Sequence, residues 1–227
     1  VLLQSESFET RAEYDALNRV TRSLSPHNPT IPASETWLTY NASGALDAVD
    51  AAVRGGQRQP YVVDMEYDAR GQRRQITYGN GVVTDYDYEP DTFRLKRLLT
   101  HRHSNDFLQD LNYTYDPAGN ITEIRDNAQQ TLFFQNAVVE PHSQYTYDPL
   151  YRLVAATGRE HAGQNRSPSP FNGWLPEAHP NDGGVMRSYT QTYTYDGVGN
   201  ILQMAHRAGG GGWTRHYQYA GENNRLL

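Results

Sequence analysis

The chain has 227 residues, a net charge of −6 and no cysteine. These numbers exclude disulfides and thiolate metal sites, and the acidic balance argues against a broad nucleic-acid-binding surface. No apolar run approaches the roughly 18 residues that a membrane-spanning helix needs. The chain starts at Val1 without a methionine and stops at Leu227 inside a repeating pattern, so we expect it to be a fragment of a longer polypeptide.

One motif recurs from the first residues to the last. It consists of an aromatic residue, Asp or Asn, two variable residues, Gly or a substitute, one further residue and an aliphatic residue. Its copies begin at Tyr14, Tyr40, Tyr67, Tyr88, Tyr115, Tyr147, Tyr195 and Tyr219. Five of the seven intervals between these tyrosines are 21 to 27 residues long. A fixed period of this length is typical of repeat architectures.

The motif has the chemistry of a chain reversal. An Asp side chain can accept a hydrogen bond from the backbone two residues on, and the prolines at 117 and 149 suit the next position of a type I turn. Glycine then supplies the left-handed conformation that closes such a hairpin, and Asn18 tolerates it. Tyr151 occupies the same position and predicts strain or a different turn. The residues assigned to this structural repeat motif are Tyr14, Asp15, Tyr40, Asn41, Gly44, Tyr67, Asp68, Gly71, Tyr115, Asp116, Gly119, Tyr147, Asp148, Tyr195, Asp196 and Gly199.

Strand patterns surround these turns. Tyr113-Thr114-Tyr115 alternates as a strand with one tyrosine face, and Asn80-Gly81 favours a type I′ hairpin turn between the motifs. Each repeat is therefore predicted to hold about two strands and two turns. The predicted fold class is all-β: a long antiparallel meander of hairpins that forms one curved sheet of about 14–18 strands. Its two edges would be open, and open edges pair with neighbouring strands.

Three stretches interrupt the rhythm. Residues 25–32 are proline-rich and predict a loop, and residues 209–212 predict a flexible hairpin tip. Residues 162–184 contain four prolines and predict a loop insertion. Since the motif resumes on both sides of every interruption, we expect a single unit over residues 1–227. Residues 46–53 could form a short helix, but their place between two turns favours a strand.

The motif copies resemble the Rhs/YD-repeat family. The match is most specific in Tyr-Thr-Tyr-Asp-Pro-Ala-Gly-Asn-Ile at 113–121 and Tyr-Thr-Tyr-Asp-Gly-Val-Gly-Asn-Ile at 193–201. Residues 130–161 look like the repeat regions of bacterial polymorphic toxins, including the shell-forming components of insecticidal Tc toxins. The resemblance covers nearly the whole chain.

The resemblance implies a structural role. In this family the repeats coil into a hollow shell that encloses a toxic C-terminal domain, and the related teneurins use such a shell for adhesion. The expected partners are flanking repeats or other shell chains and the enclosed toxin domain, with no nucleic acid and no membrane span. The expected location is secreted or at the cell surface, as part of a larger bacterial virulence protein. The family's self-cleaving aspartyl site lies after the repeats, and no such segment is found here, so no enzyme activity, catalytic residue or cofactor is assigned.

An adhesion or carbohydrate-binding module is the alternative. Trp174 and Trp213, among many tyrosines, could stack on sugar rings. Glycan binding that is lost on replacement of either tryptophan would favour this reading over the scaffold.

Other side-chain patterns have simple structural interpretations. His101-Arg102-His103 would place two imidazoles on one strand face, but no third metal ligand is evident nearby. The carboxylates in residues 64–66 and 85–87 could suggest a glycosidase, which needs two carboxyl groups at a set separation. The basic cluster could line a lumen, contact a partner or form a solvated strand face; its members are Arg94, Lys96, Arg97 and Arg102.

Overall fold

The structure, a computed structural model, describes residues 6–162, 183–209 and 211–227. These residues form 17 β-strands and one short 3-10 turn. Within the described ranges, no helix has the length and apolar character required to cross a membrane. The predicted fold class, an all-β antiparallel meander, is confirmed.

The chain divides into two compact units, Val1–Leu108 and Gln109–Leu227. In the first unit each strand pairs antiparallel with the next one in chain order. Its strands are β1 (Glu9–Tyr14), β2 (Val20–His27), β3 (Glu35–Tyr40), β4 (Leu46–Ala52), β5 (Gln59–Tyr67), β6 (Arg73–Tyr78), β7 (Val83–Tyr88) and β8 (Leu95–His101). The 3-10 turn, Val53–Gly55, separates β4 from β5.

The second unit is also a meander, with one excursion. Strand β10 pairs with β9 on one side and with β13 on the other, and β13 to β17 then pair in chain order. The excursion between β10 and β13 is a separate two-stranded hairpin of β11 and β12. The strands are β9 (Phe107–Tyr115), β10 (Ile121–Asp126), β11 (Leu132–Phe134), β12 (Ala137–Val139), β13 (His142–Tyr147), β14 (Leu153–His161), β15 (Met186–Tyr195), β16 (Ile201–Ala208) and β17 (Gly211–His216).

A β-bulge adjoins the motif turns. Tyr147 pairs with Leu153, whereas Thr146 pairs with Ala155, so one residue of β14 is left over next to the turn. The same shift occurs beside Tyr195. A type I turn followed by a left-handed residue and a bulge is a common way to close a hairpin. The sequence of Asp, two variable residues and Gly therefore specifies both the turn and the bulge.

The buried layer of each unit is thin. In the first unit Met65, Ile76 and Thr84 lie opposite one another on β5, β6 and β7, and each is at most 8% exposed. In the second unit Ala156 and Ala205 are buried, while most tyrosines around them are half-buried. Because a tyrosine ring buries apolar area while its hydroxyl stays polar, tyrosine can replace aliphatic side chains in so thin a layer.

The irregular stretches partly follow the sequence predictions. Residues 46–52 form β4, as expected for a strand. The predicted loop over 25–32 is wrong at its start, because β2 continues to His27 and includes Pro26. Proline is tolerated there because residue 26 has no partner on β3 and lies where the register of the β1–β2 ladder shifts, so neither ladder pairs Pro26. Most of the predicted insertion, residues 163–182, lies outside the described residues.

Candidate functional site

Each motif Asp closes its turn with several hydrogen bonds. Around Asp148, the backbone N–H groups of Leu150 and Arg152 donate to Oδ1, each at 2.9 Å. Arg152 Nε donates to Oδ2 at 2.7 Å. The backbone N–H of Tyr151 donates to the Asp148 carbonyl oxygen at 2.9 Å. One carboxylate thus binds both the backbone of the turn and the side chain of Arg152, the residue that follows it.

The position after the left-handed one varies between repeats and holds arginine, asparagine, Gln72 or Ala45. Arg19 binds Asp15 as Arg152 binds Asp148. In other repeats an asparagine takes this place, and Asn200 donates from its side-chain amide to Asp196 Oδ2 at 2.8 Å. The side-chain oxygen of the motif Asp, or of Asn41, is therefore the shared part of these caps, and the residue after the left-handed position varies.

These hydrogen bonds favour the ionised carboxyl. Backbone donation by Arg152 is the main cause that lowers the pKa of Asp148 below its ordinary value, and Arg19 acts in the same way on Asp15. The Asn200 side chain is the main cause that lowers the pKa of Asp196. A carboxylate that accepts several N–H bonds is stabilised relative to its protonated form.

The left-handed position closes every motif turn. Gly119 and Gly199 have φ values of +104° and +101°, which glycine adopts without strain. Asn18 has φ +61°. Tyr151, at φ +60°, keeps the same turn, so the expected departure at this residue takes the form of backbone strain.

Within each unit the motif tyrosines connect a repeat to the one before it. The Tyr40 hydroxyl donates to the backbone carbonyl of Val20 at 2.8 Å, and Tyr195 donates to that of Leu153 at 2.6 Å. In each case the acceptor lies six positions after the preceding motif tyrosine. Further bonds of this set, which we call the tyrosine ladder, run from Tyr67 to Leu46, Tyr88 to Arg73, Tyr147 to Ile121 and Tyr219 to Ile201.

The ladder completes the pairing between hairpins. Backbone pairing of β10 with β13 covers only residues 123–125 of β10 and stops short of Ile121 beside the bulge. The Tyr147 hydroxyl satisfies the Ile121 carbonyl that this pairing leaves out. In two repeats the capping arginine also covers the next tyrosine: Arg152 lies 4.9 Å from the centre of the Tyr195 ring. We call each tyrosine-to-carbonyl bond a rung of the ladder. The Asp cap and the tyrosine rung together join successive turns.

Burial acts on the ladder hydroxyls in the opposite sense to the caps. It raises the pKa of Tyr88, Tyr147 and Tyr195, since an ionised phenolate is poorly solvated there. The bond to a carbonyl requires the protonated hydroxyl as donor. The caps thus need ionised carboxyls, whereas the rungs need neutral phenols.

Sequence reasoning missed a polar cluster on one face of β14 to β16. The ring of His206 is 4% exposed, and its Nε2 lies 2.9 Å from Glu160 Oε2. Arg187 Nε donates to the other Glu160 oxygen at 2.9 Å. The Tyr189 ring stacks on His206 and lies directly over Gly158, where an added Cβ would come within 2.8 Å of the Tyr189 hydroxyl. These residues are spread over three strands, so no local pattern in the sequence announces them.

The two tryptophans singled out for glycan stacking differ in what can be said of them. Trp174 lies outside the described residues. Trp213 stacks on His206 with ring centres 5.3 Å apart, and the Arg215 guanidinium lies 4.6 Å from its centre. The indole is thus engaged by two neighbours of its own unit.

The histidine pair does not share a strand face. His101 is the last residue of β8, and His103 lies in the bend that follows. His101 Nε2 lies 3.0 Å from Asp85 Oδ2. No group of three or more His, Asp or Glu side chains arranged to hold a metal ion occurs among residues 6–162, 183–209 and 211–227.

The other charged candidates lie on or beside strands β5, β7 and β8. Gln75 donates to Asp85 at 2.7 Å, and Arg97 lies opposite Asp87 on the β7–β8 ladder. Arg102 lies 3.8 Å from Asp106 in the loop after β8. The candidate glycosidase carboxylate Asp85 therefore has a partner within the sheet. Two members of the basic cluster, Arg97 and Arg102, lie in the sheet and in the loop after it.

Comparisons with known proteins agree with the repeat architecture. No protein-family model matches the chain. Toxin subunit YenC2 of Yersinia entomophaga is 37% identical over 212 residues, covering 91% of this chain and 21% of YenC2. Toxin subunit YenC1 of the same organism is 40% identical over 174 residues, covering 74% of this chain and 18% of YenC1. The crystal structure of TcdB2-TccC3 without its hypervariable C-terminal region covers 100% of this chain and 10% of its own, with 33% identity and a TM-score of 0.75. The chain spans about a fifth of the length of the toxin subunits it matches.

Proposed function

Because the chain belongs to the Rhs/YD-repeat family of Tc-type toxin subunits, we propose that it is a structural segment of a hollow shell that encloses or presents a toxin domain. The tyrosine ladder is the observation that carries this proposal. Within each unit it joins one motif turn to the next through a backbone carbonyl, and such a junction can be repeated along a sheet of any length. A wall that surrounds a cargo needs such an extendable sheet.

The described residues support a scaffold role in a second way. The motif aspartates, which are the most regular acidic residues of the chain, are occupied as turn caps by backbone N–H groups. A carboxyl that is held in this way stabilises the turn. We therefore assign this segment a structural role rather than a catalytic one, as a single repeat region over residues 1–227 that contains both compact units.

We place the segment in a secreted multi-subunit toxin. Its partners in this proposal are flanking repeats, other shell chains and the enclosed toxin domain. The whole-chain match to the TcdB2-TccC3 complex supports this assignment.

Protease protection of the cargo tests the proposal. In the full-length parent protein, the Tyr147→Phe/Tyr195→Phe double variant removes two ladder hydroxyls, and Tyr61→Phe is the matched control on a half-exposed tyrosine outside the motif. Added protease should spare the cargo of the wild type and of the control, and should degrade it faster in the double variant. A cargo that is cleaved equally fast in the wild type and in a parent lacking residues 1–227 would contradict the enclosing role.

A further inference from the structure

Two aromatic residues occupy the left-handed position that glycine fills in the sister repeats. Phe93 and Tyr151 have φ values of +59° and +60°. Side chains rarely adopt this conformation, and strained backbone often marks a functional position. The two rings differ in the contacts that accompany this strain.

The ring of Phe93 is used within its own unit. The guanidinium of Arg70, at the tip of the preceding motif turn, lies 3.4 Å from the centre of the Phe93 ring. Gln72, from the same turn, donates to the Phe93 carbonyl at 2.8 Å. The aromatic residue thus joins two neighbouring turns through a cation–π contact.

Tyr151 lacks this internal partner. In the preceding turn the position equivalent to Arg70, two residues after the motif Asp, is held by Ala118, which has no cation to offer. Tyr151 is 63% exposed, and no ring or hydroxyl contact of its side chain is found among the residues that the structure describes. It therefore keeps the strained conformation while presenting its ring to solvent.

Exposed apolar side chains lie on the turn of Tyr151 and on the next turn. Leu150, on the same turn, is 69% exposed, and Val198, on the next turn, is 73% exposed. The two turns are tied together, because Arg152 donates to the Asp196 carbonyl at 3.2 Å. The tips of these two turns thus form an exposed apolar rim with one aromatic ring.

We propose that Tyr151, with Leu150 and Val198, is a docking surface for a partner protein that presents an arginine side chain. The Arg70–Phe93 contact is the internal template: an arginine at a turn tip, stacked on an aromatic residue in the left-handed position of the neighbouring turn. The partner supplies the arginine that Ala118 does not, and its neighbouring apolar atoms cover the two aliphatic side chains. This surface is independent of whether the segment encloses a cargo.

A peptide that copies the internal template provides the probe. The cyclic hexapeptide of residues 67–72 carries a single arginine, Arg70, at its turn tip. It is titrated into the chain with ring-labelled tyrosines, and binding is followed by NMR. We expect the peptide to shift the Tyr151 ring signals and to bind at least about tenfold more weakly to Tyr151→Gly. Tyr151→Phe should retain the affinity, since it keeps the ring, and Tyr61→Ala should leave it unchanged.

Two further readouts separate docking from a role in the fold. A peptide with Arg70→Gln should lose the affinity of the original. The melting temperature of Tyr151→Gly should equal or exceed that of the wild type, because glycine relieves the strain and no internal contact is lost. Equal binding by the wild type and Tyr151→Gly, equal binding of both peptides, or a lower melting temperature of Tyr151→Gly would each overturn the proposal.

Discussion

Two neighbouring turns of the second unit make the same hydrogen bonds from different residues. In the turn at Asp116, Gly119 takes the left-handed position without strain and Asn120 completes the cap. In the turn at Asp148, Tyr151 takes that position under strain and Arg152 completes the cap. The hydrogen bonds of the Asp cap therefore fix the conformation, and the residue in the left-handed position is free to vary at a cost in backbone energy.

The residues of the motif have two separate roles. The Asp and the bulge determine where the chain reverses, and the tyrosine of the next repeat determines which carbonyl it contacts. The left-handed residue contributes little to either task, so it is where a repeat can acquire a contact of its own. Substitution of the left-handed residue should therefore change the free energy of unfolding in opposite directions at the two turns.

The largest effect is expected at the unstrained turn. Gly119→Val forces a β-branched residue to φ +104°, which should lower the free energy of unfolding by about 2–3 kcal/mol. Gly197→Ala is the control one residue after Asp196, where φ is not positive and open space surrounds the added Cβ. It should raise the free energy of unfolding by about 0.4–1 kcal/mol by restricting the unfolded chain. Denaturant unfolding of both variants measures the difference, and equal stabilities would refute the turn assignment.

Removal of one ladder hydroxyl should have the next largest effect. Tyr147→Phe leaves the Ile121 carbonyl without its donor and should lower the free energy of unfolding by about 1–2 kcal/mol. Tyr61→Phe, on a half-exposed residue outside the motif, should leave it unchanged. The same unfolding titration compares them. A loss in the control as large as in Tyr147→Phe would show that the rung has no special weight.

The strained turns themselves give a smaller effect of opposite sign. Tyr151→Gly should raise the free energy of unfolding by about 1 kcal/mol, because the cost of the left-handed conformation disappears. Phe93→Gly should gain less, since it also loses the Arg70 contact, which is worth about 0.5–1 kcal/mol. Melting curves of the two variants test the order, and a larger gain for Phe93→Gly would contradict it.

The smallest effect concerns pH. The cap carboxyl of Asp148 has its pKa lowered in the folded state, so its contribution is present above the unfolded value near 3.8 and is lost as pH falls through the folded pKa. The rung of Tyr147 has its pKa raised above 10.0, so its contribution is present below pH 10 and is lost as pH rises through the folded pKa. Asp148→Asn, which copies the Asn41 repeat, should reduce the loss of stability below pH 4. Tyr147→Phe should reduce the loss above pH 10. Denaturation midpoints measured across pH would contradict this if both variants kept the wild-type profile.

The sequence predicted the turns better than the contacts between them. Asp148 and Gly119 act through their own backbone, so their roles could be read from local chemistry. The tyrosine rung escaped prediction because its acceptor is a backbone carbonyl, which leaves no trace in residue identity. The Glu160–His206 pair escaped because its members come from different strands. Pro26 was misread because a register shift between two strands depends on how both strands pair and not on the proline itself.

The tyrosine rung has an evolutionary consequence. Because the donor meets main chain and not a particular side chain, neither repeat has to co-vary with its neighbour for the junction to form. Repeats can then be duplicated, lost or exchanged by recombination without compensating substitutions. The 48 residues between Tyr147 and Tyr195, about twice the usual interval, show that a junction survives when one repeat is enlarged, since Tyr195 still reaches the Leu153 carbonyl. Such a chain can change length as a lineage diverges while every joint stays the same.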